Sequence, residues 1–411
     1  MKILVTSINF HPDHSGIALY STDLPTYFAE QGHDVTMVTG FPYYPKWKKN
    51  DSDKFKLFRT EVFKKVKVLR GYLYVPHKVS TLARIIHEIS FLVSAFVNFI
   101  RAGRHDCIVI LSPPLLLGLI GTLFKKIWKA KLIFHIQDLQ PDAALSLGMV
   151  KENIMIKVLK KAEMFIYRKS DLVATITDCM YERLIAKGIP KQKLEIYYNW
   201  IDVKAASHIQ QKGKFIGLYP TLLGKFIVAY AGNVGVKQGL DVLIDLAEAT
   251  ANYKQLQYLI IGEGADRDRL VDMASKKGLI NLTFINFLNQ EHYFEMLDDI
   301  DVSFISQRSK AGNLFFPSKI LGIMAKSKPL LISADLDSEL ASVVNKAKCG
   351  YAAEYGDINK LQEYVCLMYT DRNALLNMGI NSYSWVQRYD RNIVLSSFLS
   401  KIVLITKGST L

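Results

Sequence analysis

The stretch Phe226 to Ala249, FIVAYAGNVGVKQGLDVLIDLAEA, decides the fold. Phe226 to Tyr230 is a short apolar run of the kind a strand covered on both faces of a parallel sheet needs, and Leu240, Leu243, Ile244 and Ala247 recur behind it at helical spacing. Between them lie Gly232, Asn233, Gly235, Lys237 and Gly239. Glycines at the carboxyl end of a strand let backbone approach a ligand closely. The amides opening the next helix carry partial positive charge and Lys237 adds a full one, so the turn suits a phosphate. It is not a Walker loop, because no Gly-Lys-Ser/Thr closes it, and its spacing is not the dinucleotide fingerprint. A tight structural turn is the competing reading of the same residues.

The alternation of strand and helix extends in both directions. Lys2 to Asn9 reads as a strand, Ile17 to Gln31 as a helix stopped by Gly32, and Asp34 to Thr39 as the next strand. Phe41 to Arg70 reads as an irregular excursion rich in lysine and aromatic residues, with one short strand at Val66 to Leu69. Ser80 to Ile100 and Leu115 to Trp128 are unusually apolar helices, and strands follow at Cys107 to Leu111, Lys131 to Ile136, Asp171 to Ile176 and Lys193 to Tyr197. After the polar connector Lys204 to Lys214 the alternation restarts, with strands at Phe226 to Tyr230, Tyr258 to Ile261, Leu282 to Phe284, Val302 to Ile305 and Pro329 to Ile332. The expected architecture is α/β, with two doubly wound domains at residues 1–203 and 204–381. A last helix, about 382–405, carries Tyr383, Trp385, Tyr389 and Phe398 and is expected to pack back on the first domain.

Composition agrees. The 411 residues suffice for two ordinary cores, and 50% apolar residues exclude a disordered chain. A formal charge of +14 calls for an anionic partner. Four scattered cysteines with no CxxC pair fit a reducing compartment. No apolar run reaches the roughly 18 to 20 residues that cross a bilayer, and Met1 to Leu4 runs straight into a strand pattern with no secretory signal. These features describe a cytoplasmic protein, soluble or peripheral.

Other strand ends add candidate groups. Glu263, between Gly262 and Gly264, can accept hydrogen bonds from ribose hydroxyls, and the backbone around Phe287 in Phe284 to Leu288 can face a base edge. Phe315-Phe316-Pro317-Ser318-Lys319 opens a helix, with Ser318 suited to the N-cap and Lys319 within reach of an anion there. A capped helix start and a solvated lysine are the plain alternatives. Four such contacts at the carboxyl ends of strands in one sheet lie where open α/β folds bind ligands. In the first domain Asp13, His14 and Gly16 share the loop after the first strand, and His135, Gln137 and Asp138 follow another. His135 is also readable as an interior histidine and Asp138 as a turn residue. No metal-ligand spacing, nucleophile elbow or partnered cysteine appears.

Taken in order, Pro12-x-x-x-Gly16, Gly32-His33-Asp34-Val35-Thr36, Ile196 to Asp202, AGNVGVKQGLD, IGEG and FPSKILGIMAKSKPLL resemble the family 4 glycosyltransferases of the GT-B fold over nearly the whole chain. HIQDLQPDAALSLGM, His135 to Met149, is similar to the subgroup from bacterial surface-polysaccharide clusters, which includes colanic acid, O-antigen and N-acetyl-L-fucosamine transferases. The resemblance implies two Rossmann-like domains with a cleft between them and retaining, metal-independent transfer with no cofactor. It implies a UDP-sugar donor, with the diphosphate against Gly16, the turn Gly232-Asn233-Val234-Gly235, Lys237, Phe316, Ser318 and Lys319, the ribose near Glu263 and the base near Phe287. His135, Gln137 and Asp138 would serve catalysis, and Asp13 and His14 the acceptor side. The acceptor would be a glycan on undecaprenyl diphosphate, at the anionic cytoplasmic face of the inner membrane. Two departures stand out: the family's paired glutamates fall at Leu314 and Gly322, and the arginine of the donor turn falls at Asn233. A GT-B-form sugar-nucleotide epimerase would need carboxylates at the donor helix, and a nucleic-acid binder would need a basic stripe with stacking aromatics. Neither pattern is present.

Overall fold

A computed structural model describes residues 1–13, 16–78, 80–140, 142, 154–208, 212–308 and 319–408. The chain forms two compact units, Met1–Asn199 with Asn392–Leu411, and Trp200–Arg391. The crossings thus fall at 199 and 391, beside the 203 and 381 expected from sequence.

The first unit holds eight strands: β1 Lys2–Thr6, β2 Asp34–Gly40, β3 Phe58–Phe63, β4 Val66–Gly71, β5 Cys107–Ser112, β6 Lys131–Ile136, β7 Leu172–Thr175 and β8 Leu194–Ile196. Their order is β3-β4-β2-β1-β5-β6-β7-β8, parallel except for β3. Every residue of β5, CIVILS, is buried, as a central strand covered on both faces requires. The supposed excursion after β2 therefore contains a β3–β4 hairpin. Its turn residues Lys64 and Lys65 both take positive φ, 46° and 67°, without the Asn or Gly that signals such a turn in sequence. Arg70, buried on β4, ties the hairpin down through Glu61 on β3 and the carbonyls of Gly40 and His11.

The second unit holds β9 Phe226–Ala231, β10 Leu256–Ile261, β11 Leu282–Ile285, β12 Val302–Ser306, β13 Leu330–Ser333 and β14 Gly350–Ala353, all parallel in the order β11-β10-β9-β12-β13-β14. The edge strand β14 is too short and glycine-led to stand out in sequence. The expected helix at 382–405 is two, Arg372–Val386 and Arg391–Lys407. The break has a backbone cause. Ile201 N–H donates to the Tyr389 carbonyl at 3.0 Å and the Arg391 N–H donates to Ile201 at 2.9 Å, so this stretch pairs with Ile201 instead of continuing the helix.

Candidate active site

In the second unit the turn after β9 is locked to the turn after β10. Gly232 N–H donates to the Ile261 carbonyl and Val234 N–H to that of Glu263, each at 2.8 Å, and Asp266 N–H returns to Val234 at 3.0 Å. A Cβ on Gly262 would fall on the Gly232 carbonyl, and one on Gly264 on the backbone of Val234. These glycines are therefore set by loop against loop, whatever ligand lies above. Gly232 serves a different end: the Lys319 ammonium occupies the space its side chain would take, with the Tyr230 hydroxyl alongside. That hydroxyl donates to the Asn233 carbonyl at 2.7 Å and fixes the turn. Residues 87 positions apart in sequence thus meet at the carboxyl end of β9. Lys319 reaches solvent, yet the protein mass around its ammonium holds its pKa below the usual lysine value, and among the described residues no carboxylate offsets the charge.

Beyond Gly235 the chain makes a short 3-10 turn, Val236–Gln238, before the helix Asp241–Ala249. Lys237 is exposed on that turn, and its carbonyl accepts the Arg308 N–H at 3.1 Å. Arg308, which the sequence did not single out, leaves β12 beside this loop and pairs with Asp241 at 3.2 Å. Its signal was its place just past a strand end. Glu263 is exposed, 3.8 Å from Arg267, whose guanidinium also donates to Asn286 at 3.0 Å. Phe287 is exposed beyond β11. Phe316 and Ser318, like Leu314, lie outside the described residues.

In the first unit the loop after β1 is held from within. Asp13 is buried, accepts from the Asn9 amide at 3.0 Å and the Tyr44 N–H at 3.3 Å, and burial raises its pKa. Asp13 therefore ties the loop to Tyr44 instead of facing a ligand, contrary to the acceptor-side expectation. Gly16, at φ 61°, opens the helix Ile17–Glu30 with nothing near its missing side chain. His14 lies outside the described residues.

At the end of β6 the expected trio divides. His135 is 0% exposed, packs 5.5 Å from Phe398, and burial lowers its pKa to about 4, with the Tyr197 backbone offsetting this in part. It is a neutral core residue and cannot touch a substrate, which corrects its catalytic assignment. Gln137 is buried, its side-chain amide nitrogen without a partner among the described residues. Asp138 is half-buried, and burial alone raises its pKa to about 6. Asp142, the other carboxylate of this segment, is neutralised by Lys187 at 2.7 Å. Nearby, Gln140 accepts the Leu115 N–H at 2.7 Å and donates to Glu88 at 3.3 Å. Glu88 also has a raised pKa from burial and was missed, because one carboxylate in an apolar helix gives no motif.

The glycosyl transferase 4-like domain model matches residues 15–200, and the glycosyl transferases group 1 model matches residues 220–385. The chain is 31% identical over 358 residues to the colanic acid biosynthesis glycosyl transferase WcaI of Escherichia coli (strain K12), covering 84% of this chain and 86% of that one. The chain is a group 1 glycosyltransferase. Among solved structures, sucrose-phosphate synthase from Thermosynechococcus elongatus superposes with a TM-score of 0.73 at 16% identity, over 99% of this chain and 100% of that one. Anabaena HepE in complex with UDP superposes at 0.72 with 14% identity, over 98% and 100%. The fold is GT-B. Within this glycosyltransferase, Gly232, Asn233, Tyr230 and Lys319 form one cluster, and Gln140 links two carboxylate residues, its N–H donating to the Asp138 carbonyl at 3.0 Å and its side chain to Glu88. Among the described residues no three His, Cys, Asp or Glu side chains gather as a metal site would need.

Proposed function

We propose that this glycosyltransferase moves a sugar from a UDP donor to a glycan acceptor carried on undecaprenyl diphosphate, with retention and without a metal ion, for a bacterial surface polysaccharide. The sugar is assigned to the N-acetyl-L-fucosamine type, on the likeness of residues 135–149 to that subgroup. The relative from colanic acid biosynthesis supports the setting, and HepE, solved with UDP, supports the base. The work would take place at the cytoplasmic face of the inner membrane.

The observation that carries the reading is the Lys319 ammonium against Gly232, with no carboxylate facing it among the described residues. A partly desolvated cation at the turn after β9 is poised for the diphosphate. As the bond from the sugar's anomeric carbon to the diphosphate oxygen breaks, that oxygen keeps the electron pair, and a fixed cation on it lowers the barrier without a divalent ion. Lys237 adds to the same charge, Glu263 takes the ribose and Phe287 the base. Asp138 receives the hydroxyl proton of the acceptor as its oxygen bonds to the anomeric carbon.

The test pairs binding with turnover. UDP should raise the melting temperature, as any ligand of the native form does, and Lys319→Ala should weaken that shift and lower transfer by at least about tenfold while the far-UV spectrum is unchanged. EDTA should leave transfer intact. Transfer that is lost with EDTA and restored by manganese would end the metal-free reading. The absence of a shift with UDP or any UDP-sugar would end the donor assignment.

A further inference from the structure

Three helices of the first unit stand side by side: Thr81–Ala102, Leu117–Trp128 and Ile154–Lys169. Phe99 of the first meets Phe124 of the second at 5.1 Å, and Ile166 of the third fills the space beside Gly118 of the second. The inner faces belong to the core. Phe91, Ala95 and Phe99 are fully buried, and Ser94 and Asn98 bind the Tyr72 and Leu69 carbonyls. Although Leu82–Ala102 is long and apolar enough to cross a membrane, these bonds commit it to the sheet.

The outer faces are the anomaly. Leu82, Ile86, Ile89, Val93, Phe96 and Ile100 follow one helical stripe and all are exposed, Leu82 at 67% and Val93 at 65%. Leu119, Leu123 and Ile127 repeat the stripe on the next helix, Ile127 at 59%, and Ile154, Met155 and Val158 extend it onto the third. A water-facing surface carries the opposite pattern. Charge around the patch is predominantly basic. Lys126, Lys129, Lys157, Lys161 and Lys169 are exposed, whereas Leu117–Trp128 has no acid at all. The single acid of each other helix is turned away: Glu88 to Gln140, and Glu163, 1% exposed, to Tyr167 at 3.0 Å and Lys187 at 2.7 Å. Basic side chains also rim an open groove of about 840 Å³ between the last two helices, around Phe165, where the acid of the lining, Asp171, pairs with Lys125 at 2.7 Å.

We infer that this three-helix face is a docking surface for an anionic bilayer, on which the helices lie in the plane with their apolar stripes in the acyl boundary and their lysines at the phosphates. A second copy of the chain fits poorly, because two lysine-rimmed faces would repel. The basic loop between β2 and β3 is a lesser contributor. Lys54 is paired with Asp51 at 2.6 Å, and Lys49 lies over the Tyr72 ring at 3.9 Å. The inference deepens the lipid-linked acceptor reading, and its test does not depend on turnover.

Purified full-length protein should pellet with vesicles containing phosphatidylglycerol and stay in solution with pure phosphatidylcholine. Val93→Glu with Leu123→Glu, both at exposed positions, should cut the bound fraction by about tenfold or more, and Lys126→Glu with Lys129→Glu should remove the preference for anionic lipid. Both variants should keep the parent's far-UV spectrum and the melting transition of the first unit, which shows that the altered unit is folded. Failure of the parent to pellet, or binding by the Val93/Leu123 variant at the parent's level, overturns the inference. So does a dimer in sedimentation velocity that this variant dissolves, which would make the face a self-interface. A water-soluble acceptor that is still glycosylated in that event leaves the proposed reaction standing.

Discussion

Four residues, His135-Ile136-Gln137-Asp138, show how one strand exit sets opposite fates for two ionisable groups. Burial drives His135 toward its neutral form and Asp138 toward its protonated form, because removing water disfavours either charge. His135 is thereby removed from proton chemistry near neutral pH, while Asp138, with a pKa of about 6, is brought close to it. The sign for stability follows. A carboxyl whose folded pKa is raised contributes stability that is complete below its unfolded value near 4 and is lost as pH rises through about 6. Asp138→Asn should therefore stabilise the protein at pH 8 by up to about 2 kcal/mol, allowing for partial exposure, and change little at pH 4. Transfer by the same variant should drop by about a hundredfold or more, and in the parent it should decline as pH falls through about 6. Melting curves at the two pH values and a pH–rate profile check both halves. A variant that transfers normally would make Asp138 a turn residue. The sequence left this division open: His135 was readable as a site residue or as an interior histidine, and which holds depends on Phe398, 263 positions away.

Elements were the most legible level. Apolar runs of strand length followed by helical spacing located the strands of both sheets except β3 and β14, because a buried parallel strand leaves little choice of residue. The misses share a cause: the β3–β4 turn is made by two lysines, and β14 is an edge strand of four residues, so neither carries a local signal. The glycine motifs were legible as loops but their reason was not. IGEG reads as a turn presenting Glu263 to a ribose, whereas its glycines, Gly262 and Gly264, make room for the neighbouring turn. Gly262→Ala should then act on binding through structure. Its Cβ meets the Gly232 carbonyl at a φ of 133° that side chains rarely adopt, so the variant should lose about 2 kcal/mol or more. The displaced Gly232 turn should raise the KM for the donor more than it lowers kcat. Denaturant unfolding and donor saturation curves test this. An unchanged KM would mean that the two turns are not coupled to donor binding.

At the level of the molecule, the last helix decides what the first unit is. From Asn392 onward the helix Arg391–Lys407 belongs to that unit, and Phe398 stacks on Tyr197 at 4.2 Å and meets Phe28 edge-on at 6.2 Å, while Lys401 pairs with Glu195 at 2.6 Å. The first core is thus closed by residues added last, whereas the second is one unbroken segment, Trp200–Arg391. Such an arrangement should unfold in two steps, since each unit has its own buried core. Phe398→Ala removes a ring shared by three aromatic neighbours and should cost about 3 to 5 kcal/mol in the first unit alone. UDP, which we propose is held by the second unit, should move only the other transition. Calorimetry of the parent and the variant, each with and without UDP, separates the two: Phe398→Ala lowers one transition that UDP leaves in place, and UDP raises one that Phe398→Ala leaves in place. If the substitution and the nucleotide shift the same transition, the two cores melt as one cooperative body, and a truncation of the final helix would then be felt at the donor site as well.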